Sequence, residues 1–154
     1  MYRTALKKFS QSCKVWWFTG QFYLKQGDTK EARDLLKRSI QVLPKRKHIK
    51  TAVKFAQLEY KYGDSERGQT LMEGLVTQHP RRLDLWIVYL DKEIQVGDVK
   101  RIRRLFQRLA TMKWSSKKAK FVFKKWLGWE KQFGDAEGVE EVKSQALAYV
   151  EANT

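Results

Sequence analysis

The chain has 154 residues with a net charge of +15, and 42% of its residues are hydrophobic and 13% aromatic. This composition excludes a disordered tail and allows one domain with a buried core, while the excess of Lys and Arg favours polyanionic partners: RNA, DNA or acidic protein segments. No apolar run approaches the ~18 residues of a membrane span and no signal peptide is visible, so we expect no membrane partner, and the single cysteine, Cys13, fits a reducing compartment.

Residues 1–9 are predicted to form a first helix, since Ala5, Leu6 and Phe9 share one face with Tyr2. No partner helix precedes it. We therefore interpret residues 1–12 as the orphan second helix of an earlier repeat, and the chain as a fragment cut from a longer helical array.

Four Gly-Asp pairs then recur along the chain, and their glycines are 36, 34 and 37 residues apart. The pairs are Gly27-Asp28, Gly63-Asp64, Gly97-Asp98 and Gly134-Asp135. Such a period is typical of helix-turn-helix repeats. Glycine can adopt the left-handed conformation that ends one helix, and aspartate can cap the next, so each pair predicts a turn inside a helical hairpin.

The helix before each Gly-Asp pair is rich in aromatic residues, and the helix after it carries an apolar stripe. We expect the aromatics at the repeat positions to pack between helices rather than to stack on bases: Trp16, Phe55, Trp86, Tyr89 and Trp126. Pro44 and Pro80 mark the ends of two of these later helices. The pattern predicts an all-α fold, a right-handed α-solenoid of antiparallel helix pairs with about nine helices in a single domain, residues 1–154. The predicted repeats are 13–44, 45–80, 81–114 and 115–154.

The third repeat reads Trp-x2-Tyr-x3-Glu-x3-Gly from Trp86 to Gly97, followed by Arg103-x2-Phe106-x-Arg108. This pattern resembles the half-a-TPR, or HAT, repeat, a TPR-like superhelical unit of RNA-processing assemblies. Three further stretches are similar to the C-terminal HAT domain of the ribosomal RNA processing protein five family, also called programmed cell death protein eleven. They are Lys54–Leu75, Asp84–Asp98 and Lys120–Asp135.

The resemblance implies a non-catalytic scaffold of a nucleolar ribosome-assembly factor. Its implied partners are pre-ribosome assembly proteins and pre-ribosomal RNA, with no cofactor, no metal and no small-molecule substrate. The alternative is a protein-only, TPR-like adaptor that binds acidic peptides in another RNA-processing complex, in splicing or 3′ end formation.

Basic residues gather where one repeat passes into the next, in three clusters. The first basic cluster is Lys45, Arg46, Lys47, Lys50 and Lys54; the second is Arg81 and Arg82; the third is Lys113, Lys117, Lys118, Lys120, Lys124 and Lys125. Equivalent junctions of a solenoid lie along one edge, so we expect a discontinuous basic ridge that binds nucleic acid or a partner.

Cations at a helix N-terminus oppose the helix dipole by roughly 0.3–1 kcal/mol each. This cost favours a functional interpretation of the ridge over a merely solvated surface, which stays the alternative. Arg101, Arg104 and Arg108 form a further basic face, either a rim of the ridge or a contact for acidic residues on a neighbouring helix. Trp114, inside the third cluster, is a candidate for base stacking or for packing in the junction.

No catalytic constellation is visible in the sequence. Glu59, Glu93 and Glu130 recur at one repeat position but lie a repeat apart, so they cannot meet on one ion or substrate atom. We expect them to pair or hydrogen bond within their repeats. His48 and His79 match no metal-ligand spacing.

Overall fold

The computed structural model describes residues 2–153, and within that range the chain is helical and without β-strands. Nine α-helices are present in the described part, with a short 3-10 turn at Lys45–Lys47 ahead of α4. They are α1 (Tyr2–Lys8), α2 (Cys13–Lys25), α3 (Thr29–Val42), α4 (His48–Tyr62), α5 (Ser65–Gln78), α6 (Leu83–Val96), α7 (Val99–Ala110), α8 (Ser116–Phe133) and α9 (Ala136–Ala152). The predicted all-α fold class and its helix number are confirmed.

The chain divides into two compact units, Met1–Leu85 and Trp86–Thr154, with the boundary inside α6. Every predicted repeat contains two of the helices α2 to α9, and α1 falls in the predicted orphan segment. The division into four repeats remains our proposal.

In the first unit, α2 and α3 form a hairpin and α4 packs against both of them. The core joins Trp16 from α2, Leu35 from α3 and Phe55 from α4, and Leu6 attaches α1 to it. Trp16 and Phe55 are each 2% exposed, which confirms their predicted role in the core.

The second unit is built around aromatic packing between α7 and α8. The Phe106 ring stacks parallel to Trp126 with centroids 6.0 Å apart, and its centroid lies 5.7 Å from that of Trp129. Trp86 and Tyr89 on α6 are also buried. The aromatic residues at the repeat positions are therefore part of the core.

All four aspartates cap a helix as predicted. Asp28, Asp64, Asp98 and Asp135 each accept a hydrogen bond from a backbone N–H in the first turn of the helix that follows, at 2.7–3.4 Å. Pro44 and Pro80 both lie two residues beyond the end of the preceding helix, so their predicted role as stops is confirmed.

The prediction for the four glycines is right for two of them only. Gly27 and Gly97 have φ of 81° and 90°, the left-handed conformation that ends a helix. Gly63 and Gly134 instead have φ of −118° and −94°. These two glycines are required for space, because a Cβ at either would collide with a glutamate carboxylate of the same turn.

The apolar stripes predicted after each turn are buried in α3, α5 and α7 but only partly in α9. In α9, Val142 is 2% exposed whereas Val150 is 54% exposed. The stripe of α9 therefore opens toward solvent at the C-terminal end of the helix.

Candidate nucleic-acid interface

The first basic cluster belongs to the first unit and surrounds the start of α4. Lys45, Arg46 and Lys50 are exposed, while Lys47 and Lys54 are half-buried. Lys47 donates a hydrogen bond to the carbonyl of Gln11 at 2.7 Å, and the Lys54 ammonium lies 5.4 Å from the Trp17 ring centroid. Three of the five cations thus face solvent freely, and two are held by the fold.

The hydrogen bond from Lys47 brings the loop before α2 into contact with this cluster. A shallow pocket at the contact is lined by Lys8, Phe9, Lys14, Lys47 and Lys50 among others. Phe9 is 52% exposed, with the Lys8 ammonium 5.5 Å from its ring centroid. The sequence analysis placed Phe9 on a helix face and missed this surface, although five basic and no acidic residues in positions 1–27 were a signal for it.

The second basic cluster is small and half-neutralised. Arg82 forms a bidentate ion pair with Asp84, with Nη2 2.6 Å from Oδ2 and Nε 3.2 Å from Oδ1. The pair raises the pKa of Arg82 and lowers that of Asp84, chiefly through the hydrogen bond. Arg81 is exposed beside it.

The third basic cluster belongs to the second unit and surrounds the start of α8. Lys113, Lys117, Lys118, Lys120 and Lys124 are all exposed, and Ser115 caps the helix by accepting the Lys118 N–H at 3.4 Å. Lys125 is an exception, because its Nζ is 3.0 Å from Asp91 Oδ1 on α6. Five lysines therefore present a dense positive surface.

Trp114 belongs to the packing of this junction, and the stacking hypothesis for it is corrected. It is 8% exposed, and its indole N–H donates to the Leu109 carbonyl at 2.9 Å. Its own carbonyl accepts a hydrogen bond from the Tyr149 hydroxyl. A buried ring with its polar atom satisfied offers no face to a base.

The arginines of α7 differ in their contacts, so some fit a contact with a neighbouring helix and others fit a rim of the ridge. Arg101 Nε lies 2.9 Å from Glu93 Oε1 on α6, which raises the pKa of Arg101 chiefly through that hydrogen bond. The Arg108 guanidinium lies 5.0 Å from the Trp86 ring centroid. Arg104 is exposed. Arg101 and Arg108 therefore stabilise contacts with α6, and only Arg104 is a candidate for the rim.

Two of the three recurrent glutamates form buried ion pairs between successive hairpins. Glu59 accepts the Asp64 backbone N–H at 3.0 Å within its own turn and pairs with Arg33 of the preceding hairpin at 3.3 Å. Glu130 pairs with Arg103 of its preceding hairpin through contacts of 2.7 and 3.0 Å. The expected hydrogen bonding within a repeat is met by the bond from Asp64 to Glu59, whereas both ion pairs reach an arginine of the preceding repeat.

Glu93 also forms an ion pair, with Arg101 of the same predicted repeat. Both arginines of the other pairs, Arg33 and Arg103, follow their turn glycine by six residues. The arginine that opens the Arg103-x2-Phe106 motif therefore has a structural role that sequence analysis did not assign.

Among residues 2–153, no helix is both long and apolar enough to cross a membrane. Across the same residues, no three His, Cys, Asp or Glu side chains gather in a way that suits a metal ion.

Comparison with known proteins decides the family. The sequence profile of the PRP39 N-terminal HAT repeat family matches residues 48–153, more than half of the chain. The chain belongs to the HAT-repeat family. The helix pairs and the Glu-x3-Gly turns described above are therefore those of HAT repeats.

Two relatives that resemble the chain over nearly its whole length are RRP5 proteins. The chain is 50% identical over 145 residues to the rRNA biogenesis protein rrp5 of Schizosaccharomyces pombe, covering 94% of this chain and 9% of the relative. It is 38% identical over 154 residues to the RRP5 homolog of Mus musculus, covering 100% of this chain and 8% of the relative. The chain thus spans less than a tenth of the length of these two relatives.

Similarity to splicing proteins is lower. The pre-mRNA-splicing factor clf-1 of Neurospora crassa is 32% identical over 131 residues, covering 85% of this chain and 18% of the relative. Identity is thus higher to the two rRNA biogenesis relatives than to this splicing factor.

Proposed function

We propose that this HAT domain is a non-catalytic scaffold of a nucleolar ribosomal RNA biogenesis factor. It binds assembly proteins through its helical surfaces and contacts pre-ribosomal RNA through the first and third basic clusters, together with Lys8, Phe9 and Lys14. The similarity to rRNA biogenesis proteins supports a role in ribosomal RNA biogenesis, and the charge distribution supports the RNA contact.

The charges at the helix starts are the observation that supports the RNA contact. Acidic residues are favoured in the first turn of a helix and basic residues are disfavoured, and the helices of this chain differ in this respect. Helices α3, α5 and α9 have Glu31, Glu66 and Glu137 in their first turns, as the positive end of a helix dipole favours. Helices α4 and α8 have no acidic residue there, which is also true of α1, α2 and α7, but the starts of α4 and α8 are the ones surrounded by the two large basic clusters. Lysines at these two starts oppose stability, which favours a role in binding.

A lack of catalysis is supported by what the buried carboxylates do. Glu59, Glu93 and Glu130 are at most 3% exposed, and each is paired with an arginine. Carboxylates committed to ion pairs inside the packing are not placed to act on a substrate.

A salt titration with labelled single-stranded RNA tests the contact. If six cluster residues contact phosphates, the log-log plot of affinity against salt has a slope of about −4. Charge reversal at Lys117, Lys118 and Lys120 weakens binding to all RNA sequences alike, because phosphates carry no sequence information. A lack of detectable binding at ~50 mM salt contradicts the proposal.

The matched control reverses three exposed lysines outside the clusters, Lys30, Lys37 and Lys131. Both triple variants have the same net charge, so a general charge effect weakens RNA binding equally in both. The proposal requires the larger loss in the cluster variant. In the alternative, a protein-only adaptor, partners are retained unchanged after nuclease treatment and neither variant binds RNA.

A further inference from the structure

Helices α8 and α9 enclose an apolar groove of about 550 Å³ on the surface of the second unit. Its walls include Phe123 and Leu127 from α8, and Val142, Ala146 and Val150 from α9. Three lysines line it as well: Lys120, Lys124 and Lys143. In the part of the chain that the structure describes, its lining contains no acidic side chain.

The first unit shows what such a groove holds. There, α4 packs against the corresponding hairpin of α2 and α3. The Phe55 ring of α4 lies so close to Gly20 that a Cβ there would collide with it, and Phe55 shares a core cluster with Leu36. A hairpin of this family therefore receives a helix on this face.

Counting from the turn glycines Gly27 and Gly134 identifies the equivalent positions. Leu127 occupies the position of Gly20, and Val150 that of Leu43, which is 3% exposed in its own hairpin. The groove between α8 and α9 thus corresponds to the face of α2 and α3 that α4 covers. Val150 is exposed at the position where Leu43 is buried.

Two equivalent positions differ in a way that indicates the occupant. Trp17, which holds a lysine of α4 over its ring, is replaced by Lys124, and the buried Leu36 is replaced by Lys143. An apolar floor between positive charges fits a helix with one apolar stripe flanked by acidic residues.

We propose that this groove binds an acidic amphipathic helix of a partner protein. The inference rests on the proposed scaffold function and names where and by what chemistry one assembly partner docks. Apolar side chains at helical spacing fill the floor, and glutamates or aspartates on their flanks pair with Lys120, Lys124 and Lys143.

The test uses fluorescence anisotropy with a labelled peptide as long as α8, 18 residues. The peptide has leucines at helical spacing flanked by glutamates, and a scrambled peptide of the same composition is the comparison. We expect binding at or below ~100 µM for the amphipathic peptide and at least roughly tenfold weaker binding for the scrambled one. Equal binding of the two, or none at ~100 µM, overturns the proposal.

The groove variant is Lys143→Glu with Val150→Asp, two exposed residues outside the basic clusters. It is expected to bind the amphipathic peptide roughly tenfold more weakly, whereas Lys131→Glu on the same helix pair binds it as the parent does. Equal peptide binding by the groove variant overturns the proposal. Self-association of the parent chain that the groove variant abolishes, measured by sedimentation, also overturns it in favour of a second copy.

The RNA titration separates this inference from the proposed function. The groove variant keeps RNA affinity close to that of Lys131→Glu, and Lys117→Glu/Lys118→Glu loses RNA affinity but keeps the amphipathic peptide. If the chain binds the peptide but not RNA, the groove proposal is supported and the proposed RNA contact is contradicted. Because Lys120 and Lys124 belong to both surfaces, each variant is tested with RNA and with peptide in separate titrations.

Discussion

The residue that explains most about the hairpin junctions is the recurrent glutamate. Glu130 is 1% exposed, pairs with Arg103 through both oxygens and lies beneath the turn and the first residues of α9. Its charge is paired with Arg103, and its side chain fills the space beside Gly134 and Gly138. This accounts in physical terms for the Glu-x3-Gly spacing at Glu59 and Glu130, because the glycine leaves room for the carboxylate. Gly97 after Glu93 is instead required by its positive φ.

Glu130→Gln is expected to lower the free energy of unfolding by about 2–3 kcal/mol, since it leaves the Arg103 charge with the more distant partner Asp135, whose Oδ1 lies 3.7 Å away. The value lies at the low end for a broken buried pair because the Arg103 side chain is 24% exposed and keeps access to water. Urea denaturation measures the change. The control, Glu140→Gln at a 74% exposed side chain, should change stability by less than about 0.5 kcal/mol. Equal effects of the two would contradict the stabilising role of this buried ion pair.

Asp84 provides a pH-dependent prediction. Its pKa lies below the ordinary value of 3.8, chiefly because of the hydrogen bond from Arg82. A lowered pKa means that the pair contributes stability above the ordinary value, and that this contribution is lost as pH falls below it. Carbon-detected NMR titration should show the Asp84 pKa rising toward the ordinary value in Arg82→Ala. An unchanged pKa would show that the pair does not persist in solution.

At this scale, sequence analysis predicted the burial of the repeat aromatics and the aspartate caps, since both follow from local spacing. It did not predict the partners of Arg33 and Arg103. Those ion pairs join residues 26 and 27 positions apart, and only the packing of successive hairpins brings them together. Trp114 was ambiguous for the same reason, because its burial depends on Leu109 and Tyr149.

Among the helices, α8 begins with a residue that fits RNA binding better than it fits helix stability. Ser115 is its N-cap, and Lys118 occupies the third helical position, where a glutamate would complete a capping box and favour the helix dipole. The natural lysine is therefore a poor choice for the helix alone.

Lys118→Glu is expected to raise the free energy of unfolding by about 0.5–1 kcal/mol while it weakens RNA binding. Thermal denaturation and RNA anisotropy on the same sample measure the two effects. Greater stability with unchanged RNA affinity would assign Lys118 to a solvated surface. The control Lys131→Glu, in the last turn of α8, should slightly destabilise the helix because it removes a favourable charge at the negative end of the dipole.

The glycines within helices give a matched pair of substitutions. Gly74 in α5 faces open space, so Gly74→Ala should stabilise the protein by about 0.5–1 kcal/mol through helix propensity. Gly138 in α9 faces the Glu130 carboxylate, so Gly138→Ala should instead destabilise it by about 1–3 kcal/mol. Chemical denaturation distinguishes them. The same sign for both would contradict the close approach.

Helix positions were predictable because the apolar and aromatic periodicities are strong and each turn carries its own Gly-Asp signal. The conformation of each turn was not. Gly27 and Gly97 are left-handed whereas Gly63 and Gly134 are not, and the difference depends on whether a glutamate side chain is folded against the turn.

For the whole molecule, the sequence predicted an all-α chain of HAT repeats, and the fold and the family match confirm it. The three basic clusters were found from composition along the chain. The structure separates their members into cations that face solvent, such as Lys50 and Lys117, and cations held in pairs, such as Arg82 and Lys125. The discontinuous basic ridge through all three clusters remains a prediction.

We propose that this domain contacts RNA through the exposed lysines at the starts of α4 and α8. Ultraviolet crosslinking of the full-length protein in cells, with RNA-linked peptides mapped by mass spectrometry, tests this contact most directly. We expect crosslinks to pre-ribosomal RNA within residues 8–14, 45–54 or 113–125. RNA crosslinks only outside these three segments, with protein contacts alone within them, would contradict the proposed contact.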